Sequence, residues 1–347
     1  MQSRSAAGAT GPAVPPGSAA PPGSVGAAAA AAPTPSRLLP AAGVPLAYRL
    51  LLRDPHTPLE RFGFHVREPR SRRRVEEIVE AFFTGYNAAV SSRHPLDVRR
   101  ACEALPVPLH PFAFEGSGMG YGARGMLDWH CRPTGFERWL EAVHPGYRFM
   151  YYVGLGIWTG FVGGWRARRV ARSVAGEKYR GLVYDGFGFK AGFFHRVRDP
   201  QAHRKLEAVP ARDRGEAYRG FGRSLWFVFR DDPAGLEAAV TALPDPGRSA
   251  AIVGVGLAVV FTSPEDPGAA LRRLAGFPAA WQRELERGAR LALYVRDAGQ
   301  PEQVEARLAA LPQESATPLR AHLAHARRAY ASSIQSATFL HDFTEAC

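Results

Sequence analysis

Seven prolines in the second half of the chain form two interleaved ladders of one period. Pro210, Pro244, Pro278 and Pro312 step by 34 residues, and so do Pro233, Pro267 and Pro301. Glycine pairs keep the same step at Gly186/Gly188, Gly220/Gly222 and Gly254/Gly256, and Gly288 continues the line. Earlier copies stand at Gly154/Gly156 and Gly116/Gly118, after small insertions. Five residues beyond the second glycine comes a phenylalanine in four copies, Phe161, Phe193, Phe227 and Phe261. Such self-similarity marks an array in which each unit buries its apolar face against its neighbours. The duplication runs from about residue 72 to 337, enough for about seven units.

Each unit has a short and a long part. The short parts begin and end in proline, as in Pro95–Pro106, Pro233–Pro244, Pro267–Pro278 and Pro301–Pro312. A proline in the first helical turn loses no hydrogen bond, and one after the end stops the helix. Asp232 and Asp266 precede two of these segments and suit helix N-caps. The long parts are nearly continuous apolar runs, such as 149–161 and 250–261. Periodicity alone does not tell a buried helix from a strand there. The repeat leaves about 18 residues for this part, too long for an ordinary strand, and the last copy, Thr317–Gln335, has a helical composition. Glycine disfavours a helix by about 1 kcal/mol against alanine, so its recurrence suggests close approach between helices. Turns of β-hairpins are the competing explanation.

The expected fold class is all-α, a tandem array of 34-residue helical hairpins forming an α-solenoid or a closed α/α array. The period is that of a tetratricopeptide unit, but the second helix opens with Asp-Pro where that family has a small residue. Seven hairpins give eight long helices. Helices apolar on every side are buried on every side, so the array either closes into a ring or folds back as two stacked halves.

Composition narrows the class of protein. Residues 1–40, rich in Ala, Gly, Pro and Ser, read as a disordered tail, and residues 41–347 as one helical-repeat domain. The formal net charge of +12 is mostly arginine without a basic tail, consistent with GC-rich coding; no nucleic-acid partner is expected. Cys102, Cys131 and Cys347 form no metal-binding spacing, and three cysteines fit a reducing cytoplasm. The longest uncharged run, Phe149–Trp165, has 17 residues and five glycines, short of the ~20 a membrane span needs. Neither a dinucleotide fingerprint, a P-loop nor a GxSxG elbow is present, so no cofactor is expected.

Four blocks in the long parts carry a family likeness: Phe112–Gly118 (FAFEGSG), Tyr152–Gly156 (YVGLG), Tyr184–Phe194 (YDGFGFKAGFF) and Tyr218–Phe227 (YRGFGRSLWF). They resemble the recurrent blocks of the UnbL-type enediyne-biosynthesis proteins, domain-of-unknown-function family 1702. The likeness runs from about residue 45 to the C-terminus. Members of that family are encoded beside the polyketide synthase that makes the polyene precursor of the enediyne core. The resemblance implies a pathway in bacterial secondary metabolism, not a mechanism.

The residue before each glycine pair holds an equivalent place in its unit: Glu115, Val153, Asp185, Arg219 and Val253. Burial of Glu115 and Asp185 would raise their pKa and let either act as a general acid. The structural alternative pairs them with Arg180, Arg219 or Arg223. Aromatic residues crowd three adjacent units, and Tyr152, Trp158, Tyr184, Phe189, Phe193 and Trp226, with His195 and Arg223, are candidates to line a tunnel for a flat conjugated chain. Ordinary core packing is the alternative for each. Asp128, His130 and Cys131 lie within four residues but lack a second half for a metal site, and His322 and His325 sit one turn apart. Arg166, Arg168, Arg169 and Arg172 make one short helix basic, suited to a phosphate or acidic carrier protein, or simply a solvated face.

Two functions follow as expectations. In the first, the protein encloses a long hydrophobic polyene and assists its cyclisation or modification, with proton-initiated closure in the manner of a terpene cyclase as one version. In the second, it is a non-catalytic scaffold that gathers the polyketide synthase or other pathway proteins.

Overall fold

A computed structural model describes residues 46–62, 64, 66–92, 94–127, 135–174, 176–194, 200–336 and 338–347, with side chains 164–167, 174, 176–177, 194 and 200–201 left out of the description. The tail expected over 1–40, the group Asp128/His130/Cys131, His195 and the side chains of Arg166 and Phe194 lie outside the described residues. The described residues form seventeen α-helices and no strand. A short α1 (Leu46–Arg49) leads into the array. The long helices are α2 (Pro69–Ser91), α4 (His110–Arg124), α6 (Arg148–Val162), α8 (Gly176–Phe194), α10 (Ala211–Val228), α12 (Asp245–Phe261), α14 (Gln282–Gly299) and α16 (Gln313–Ser333). Seven short helices alternate with them: α3 (Pro95–Glu103), α5 (Phe136–Val143), α7 (Gly164–Val174), α9 (Pro200–Glu207), α11 (Pro233–Thr241), α13 (Pro267–Ala275) and α15 (Pro301–Ala310). A last helix, α17 (Phe339–Ala346), lies beyond the repeat.

The punctuation works as the sequence dictates. Proline opens α3, α11, α13 and α15 at the first helical turn. The carboxylates of Asp232 and Asp266 accept from the backbone N–H groups of Gly235 and Ala269 at 2.9 and 2.7 Å, capping α11 and α13. Each short helix buries one narrow stripe, Phe136 and Leu140 on α5 or Leu236 and Val240 on α11. The long helices are buried nearly all round, and in α4 every residue from Pro111 to Arg124 is buried.

The glycines explain how helices so enclosed pack. The first glycine of each pair meets a carbonyl of the preceding long helix: Gly116 meets Phe82, Gly154 meets Glu115, Gly186 meets Val153, Gly220 meets Asp185, Gly254 meets Arg219 and Gly288 meets Val253. The second meets a carbonyl of the following one: Gly118 meets Tyr151, Gly156 meets Val183, Gly188 meets Ala217, Gly222 meets Ala251 and Gly256 meets Leu285. A Cβ at any of these positions would stand well under 3.0 Å from that oxygen. Consecutive long helices therefore touch backbone to backbone. They also run parallel, because contacts rise together along both partners, Gly116 with Phe82 and then Gly120 with Tyr86.

The array closes on itself. Phe112 of α4 meets Phe261 of α12 edge to face at 5.3 Å, and Phe149 of α6 meets Tyr294 of α14 at 6.2 Å. The side chain of Gln300 donates to the Val107 carbonyl at 2.6 Å, and the Arg296 guanidinium reaches the Pro108 carbonyl at 3.4 Å. Arg74 of α2 donates to the Thr262 carbonyl at 3.2 Å, just past α12. Five or six units thus complete one turn, and the inner faces of the long helices surround a common lumen.

Candidate functional site

The position before four of the five glycine pairs faces that lumen. Its side chain and the one four residues on lie one above the other on a helix face. Glu115, Val153, Asp185 and Arg219 form one level, and Ile157, Phe189, Arg223 and Leu257 the next. Where two of these levels carry charge, a buried network crosses the lumen. Asp185 accepts from Arg219 Nε at 2.9 Å and lies 3.2 Å from Arg223 Nε. Arg223 Nη2 reaches Glu115 at 3.3 Å, and Arg219 also pairs with Glu216 and donates to Thr344 Oγ1 at 3.0 Å.

Not all of these contacts are well aligned. Asp185 Oδ1 and Arg223 Nε are within ion-pair reach, yet neither makes a hydrogen bond of good geometry, and the same holds for Glu216 Oε2. Burial pushes the Glu115 carboxyl up, against the opposing pull of Arg223. Burial also pushes Glu216 up, against Arg219. Burial alone would lower the Arg219 pKa, but Glu216 and Asp185 outweigh it and leave that guanidinium raised. Three carboxyls face two guanidiniums, so full ionisation would leave one excess negative charge in a buried interior. Such a charge is costly, and a proton held on Glu115 or Glu216 removes it.

The network divides the lumen. On one side is a chamber of about 60 Å³ lined by eight phenyl rings, among them Phe82, Phe83, Phe112, Phe189 and Phe193. Its ionisable lining groups are Glu115 and Arg223. The Arg223 guanidinium lies 4.9 Å from the Phe189 ring centre, and Phe64 closes on Phe193 edge to face at 4.4 Å. On the other side is a chamber of about 40 Å³ lined by Asp185, Arg219, Arg223 and apolar residues including Phe149, Val153, Leu291 and Val295. Leu340 and Phe343 of α17 cover it. Arginines hold α17 in place: Arg287 donates to the Thr344 carbonyl at 3.0 Å and pairs with Glu345, and Arg290 donates to the Cys347 carbonyl.

Of the residues singled out in the sequence, Glu115, Asp185, Phe189, Phe193 and Arg223 meet at the lumen. Four others lie elsewhere. Tyr152 is buried between helices, stacked on Tyr179 at 5.0 Å with its hydroxyl unpartnered. Trp158 packs over Gly122. Tyr184 neighbours the charges of Asp213, Arg168 and Arg180, and burial raises its pKa. Trp226 donates from Nε1 to Thr262 Oγ1 at 3.1 Å, with the Arg230 and Arg273 guanidiniums 5.2 and 5.4 Å from its ring. Arg180 pairs with Asp213 at 2.8 Å and not with either lumen carboxylate. His322 accepts from Arg290, and His325 bonds the Ala346 carbonyl, so both help to dock α17. Arg169 and Arg172 are exposed, and Arg168 donates to the Ala208 carbonyl at 2.6 Å.

Sequence reasoning missed Glu216, Phe62, Phe64 and the whole of α17. The position four after each glycine-pair neighbour places Ile157 and Leu257 at the lumen beside Phe189 and Arg223. Among the described residues no group of three His, Cys, Asp or Glu is placed to hold a metal, and no helix is long and apolar enough to cross a membrane.

Residues 47–339 match the family described as Protein of unknown function (DUF1702), and the chain belongs to that family. No curated protein and no solved structure matches it.

Proposed function

We propose that this member of the DUF1702 family takes a long, apolar, unsaturated chain into its lumen and assists its cyclisation or modification. The resemblance of its sequence blocks supports a place in bacterial enediyne-type polyketide biosynthesis. The observation that carries the reading is a phenyl-lined chamber with Glu115 and Arg223 as its ionisable lining groups. Phenyl faces suit a flat conjugated hydrocarbon and a delocalised cation. Glu115, pushed up by burial, suits a proton donor.

A balanced step follows from these groups. The Glu115 O–H proton passes to a terminal alkene carbon. The carboxylate left behind faces Arg223, and the cation spreads along the polyene under the phenyl rings. Ring closure and return of a proton to Glu115 complete an isomerisation that needs no further reactant. At about 60 Å³ the chamber is far below the roughly 300 Å³ of small-ligand sites. Occupancy therefore requires the phenyl rings to swing apart. The scaffold alternative draws less support, because contacts such as Phe112–Phe261 take up the concave face that solenoids use to bind peptides.

The test is retention of a synthetic linear conjugated polyene by the purified chain, read by native mass spectrometry and by the red shift of polyene absorbance. One molecule per chain is expected. Ala258→Leu, which fills the chamber, should abolish retention, while Glu115→Gln should keep it and lose conversion. Absence of retention by the wild type, or retention indifferent to Ala258→Leu, refutes the reading.

A further inference from the structure

The six most exposed large apolar side chains among the described residues are Leu46, Leu50, Leu96, Met126, Leu127 and Phe161, each between 43% and 76% exposed. Single exposed apolar residues need no explanation, but a cluster does. All six sit on α1 or at the last turns of α2, α4 and α6 and just beyond them. Leu46 opens α1 and Leu50 follows it, and the residues just after α1 are tied to the last turns of α2. Tyr86 Oη donates to the Leu51 carbonyl at 2.9 Å, and the Asn87 side chain bonds both backbone groups of Arg53 at 2.9 and 2.7 Å. Tyr48 lies under the guanidinium of Arg124, the last residue of α4, at 5.3 Å. Met126 and Leu127 follow it after Gly125. Leu96 is in the first turn of α3, just past α2, and Phe161 is in the last turn of α6, with the Lys190 ammonium 4.7 Å from its ring.

Leu46 and Leu50 are one helical turn apart with exposed Arg49 and Arg53 beside them. Apolar side chains flanked by arginine are the pattern of a segment that lies in a membrane interface, where acyl chains take the one and anionic headgroups the other. The chain's net charge of +12 has the sign that such a surface attracts.

We propose that this surface docks on an anionic lipid bilayer, with Leu46, Leu50, Met126 and Leu127 in the interface. The docking stands apart from the polyene reading.

Flotation of the full chain with vesicles tests the docking. The protein should rise with mixed phosphatidylcholine–phosphatidylglycerol vesicles, less with phosphatidylcholine alone, and less in high salt. Leu50→Glu combined with Leu127→Glu should lower the bound fraction roughly tenfold or more, with helicity and melting temperature unchanged because both side chains are exposed. Failure of the wild type to float with mixed vesicles overturns the proposal, and so does equal flotation of the double variant. A dimer in sedimentation velocity that the double variant dissolves, without flotation of the wild type, would assign the surface to a second copy instead. Polyene retention measured without lipid is indifferent to these variants, so failure here leaves the chamber reading standing.

Discussion

Gly220 packs directly on the carbonyl oxygen of Asp185, while the residue beside it, Arg219, grips the Asp185 carboxylate at 2.9 Å. One pair of neighbours thus sets both the spacing of α8 and α10 and the ion pair between them. Backbone contact and lumen chemistry are held in a single register.

Gly220→Ala should therefore disturb both. The added methyl would fall well under 3.0 Å from a backbone oxygen that has no flexible end to move. A loss of roughly 1–3 kcal/mol or more is expected, as for other overpacked sites. Gly215 lies in the same helix with nothing within 4 Å of its would-be Cβ. Gly215→Ala should instead stabilise by about 0.4–1 kcal/mol. Urea unfolding of the two variants gives opposite signs if the glycine contacts are as described, and equal small effects if they are not.

Removing one member of the charged network should cost more than removing a matched pair. Arg223→Met leaves Glu115 and Asp185 facing each other without their shared cation, at a cost of about 3–5 kcal/mol. Adding Glu115→Leu should recover a large part of that loss. A double-mutant cycle in urea measures the coupling, and additivity of the two changes would argue that the groups do not interact.

Protonation of Glu115 gives stability a definite pH dependence. The folded chain keeps a proton there that the unfolded chain releases above the ordinary value of 4.5. This contribution is complete below 4.5 and is lost as pH rises through the raised folded-state value. Glu216 acts in the same direction, whereas Glu68 and Asp342, both held below their ordinary values, act in the opposite one. The informative quantity is accordingly the difference between wild type and Glu115→Gln. Relative to that variant, the wild type should weaken steadily as pH is raised from 4.5.

The C-terminal helix should be integral to the array. Phe343 is 1% exposed, packs on Tyr294 at 5.0 Å and covers the smaller chamber. Phe343→Ala should cost roughly 3–5 kcal/mol. It should also speed hydrogen exchange around Arg219, whose partner Thr344 is the next residue along that helix.

The repeat was the legible part of this chain. The proline ladder placed the short helices, Asp232 and Asp266 announced their caps, and the glycine step identified Glu115 and Asp185 as equivalent positions. Closure was not legible, because it depends on the small rotation from each hairpin to the next, which no single residue encodes. Aromatic density pointed to Phe189 and Phe193, which line the chamber, and also to residues that lie elsewhere for a geometric reason. Tyr152, Trp158 and Tyr184 each stand one residue from a lumen position, and one residue turns a helix by about 100°. Phe62, Phe64 and α17 lie outside the repeat, so the period held no information about them.

The seam between α14 and the start of α4 bears on how the chain reaches its final form. Open arrays hold mainly neighbour-to-neighbour contacts and lose their terminal units one at a time. Here Arg296 and Gln300 bond carbonyls 188 and 193 residues back along the chain. Contacts of such separation slow the search for the native state and join early units to late ones in one cooperative transition. A nascent chain emerging from the ribosome has its first hairpins long before it has an enclosed interior. The phenyl chamber gains its last wall only when α12 arrives, and the smaller one waits for α14 and α17, so a product truncated before α12 would carry many of the same helices and neither chamber complete.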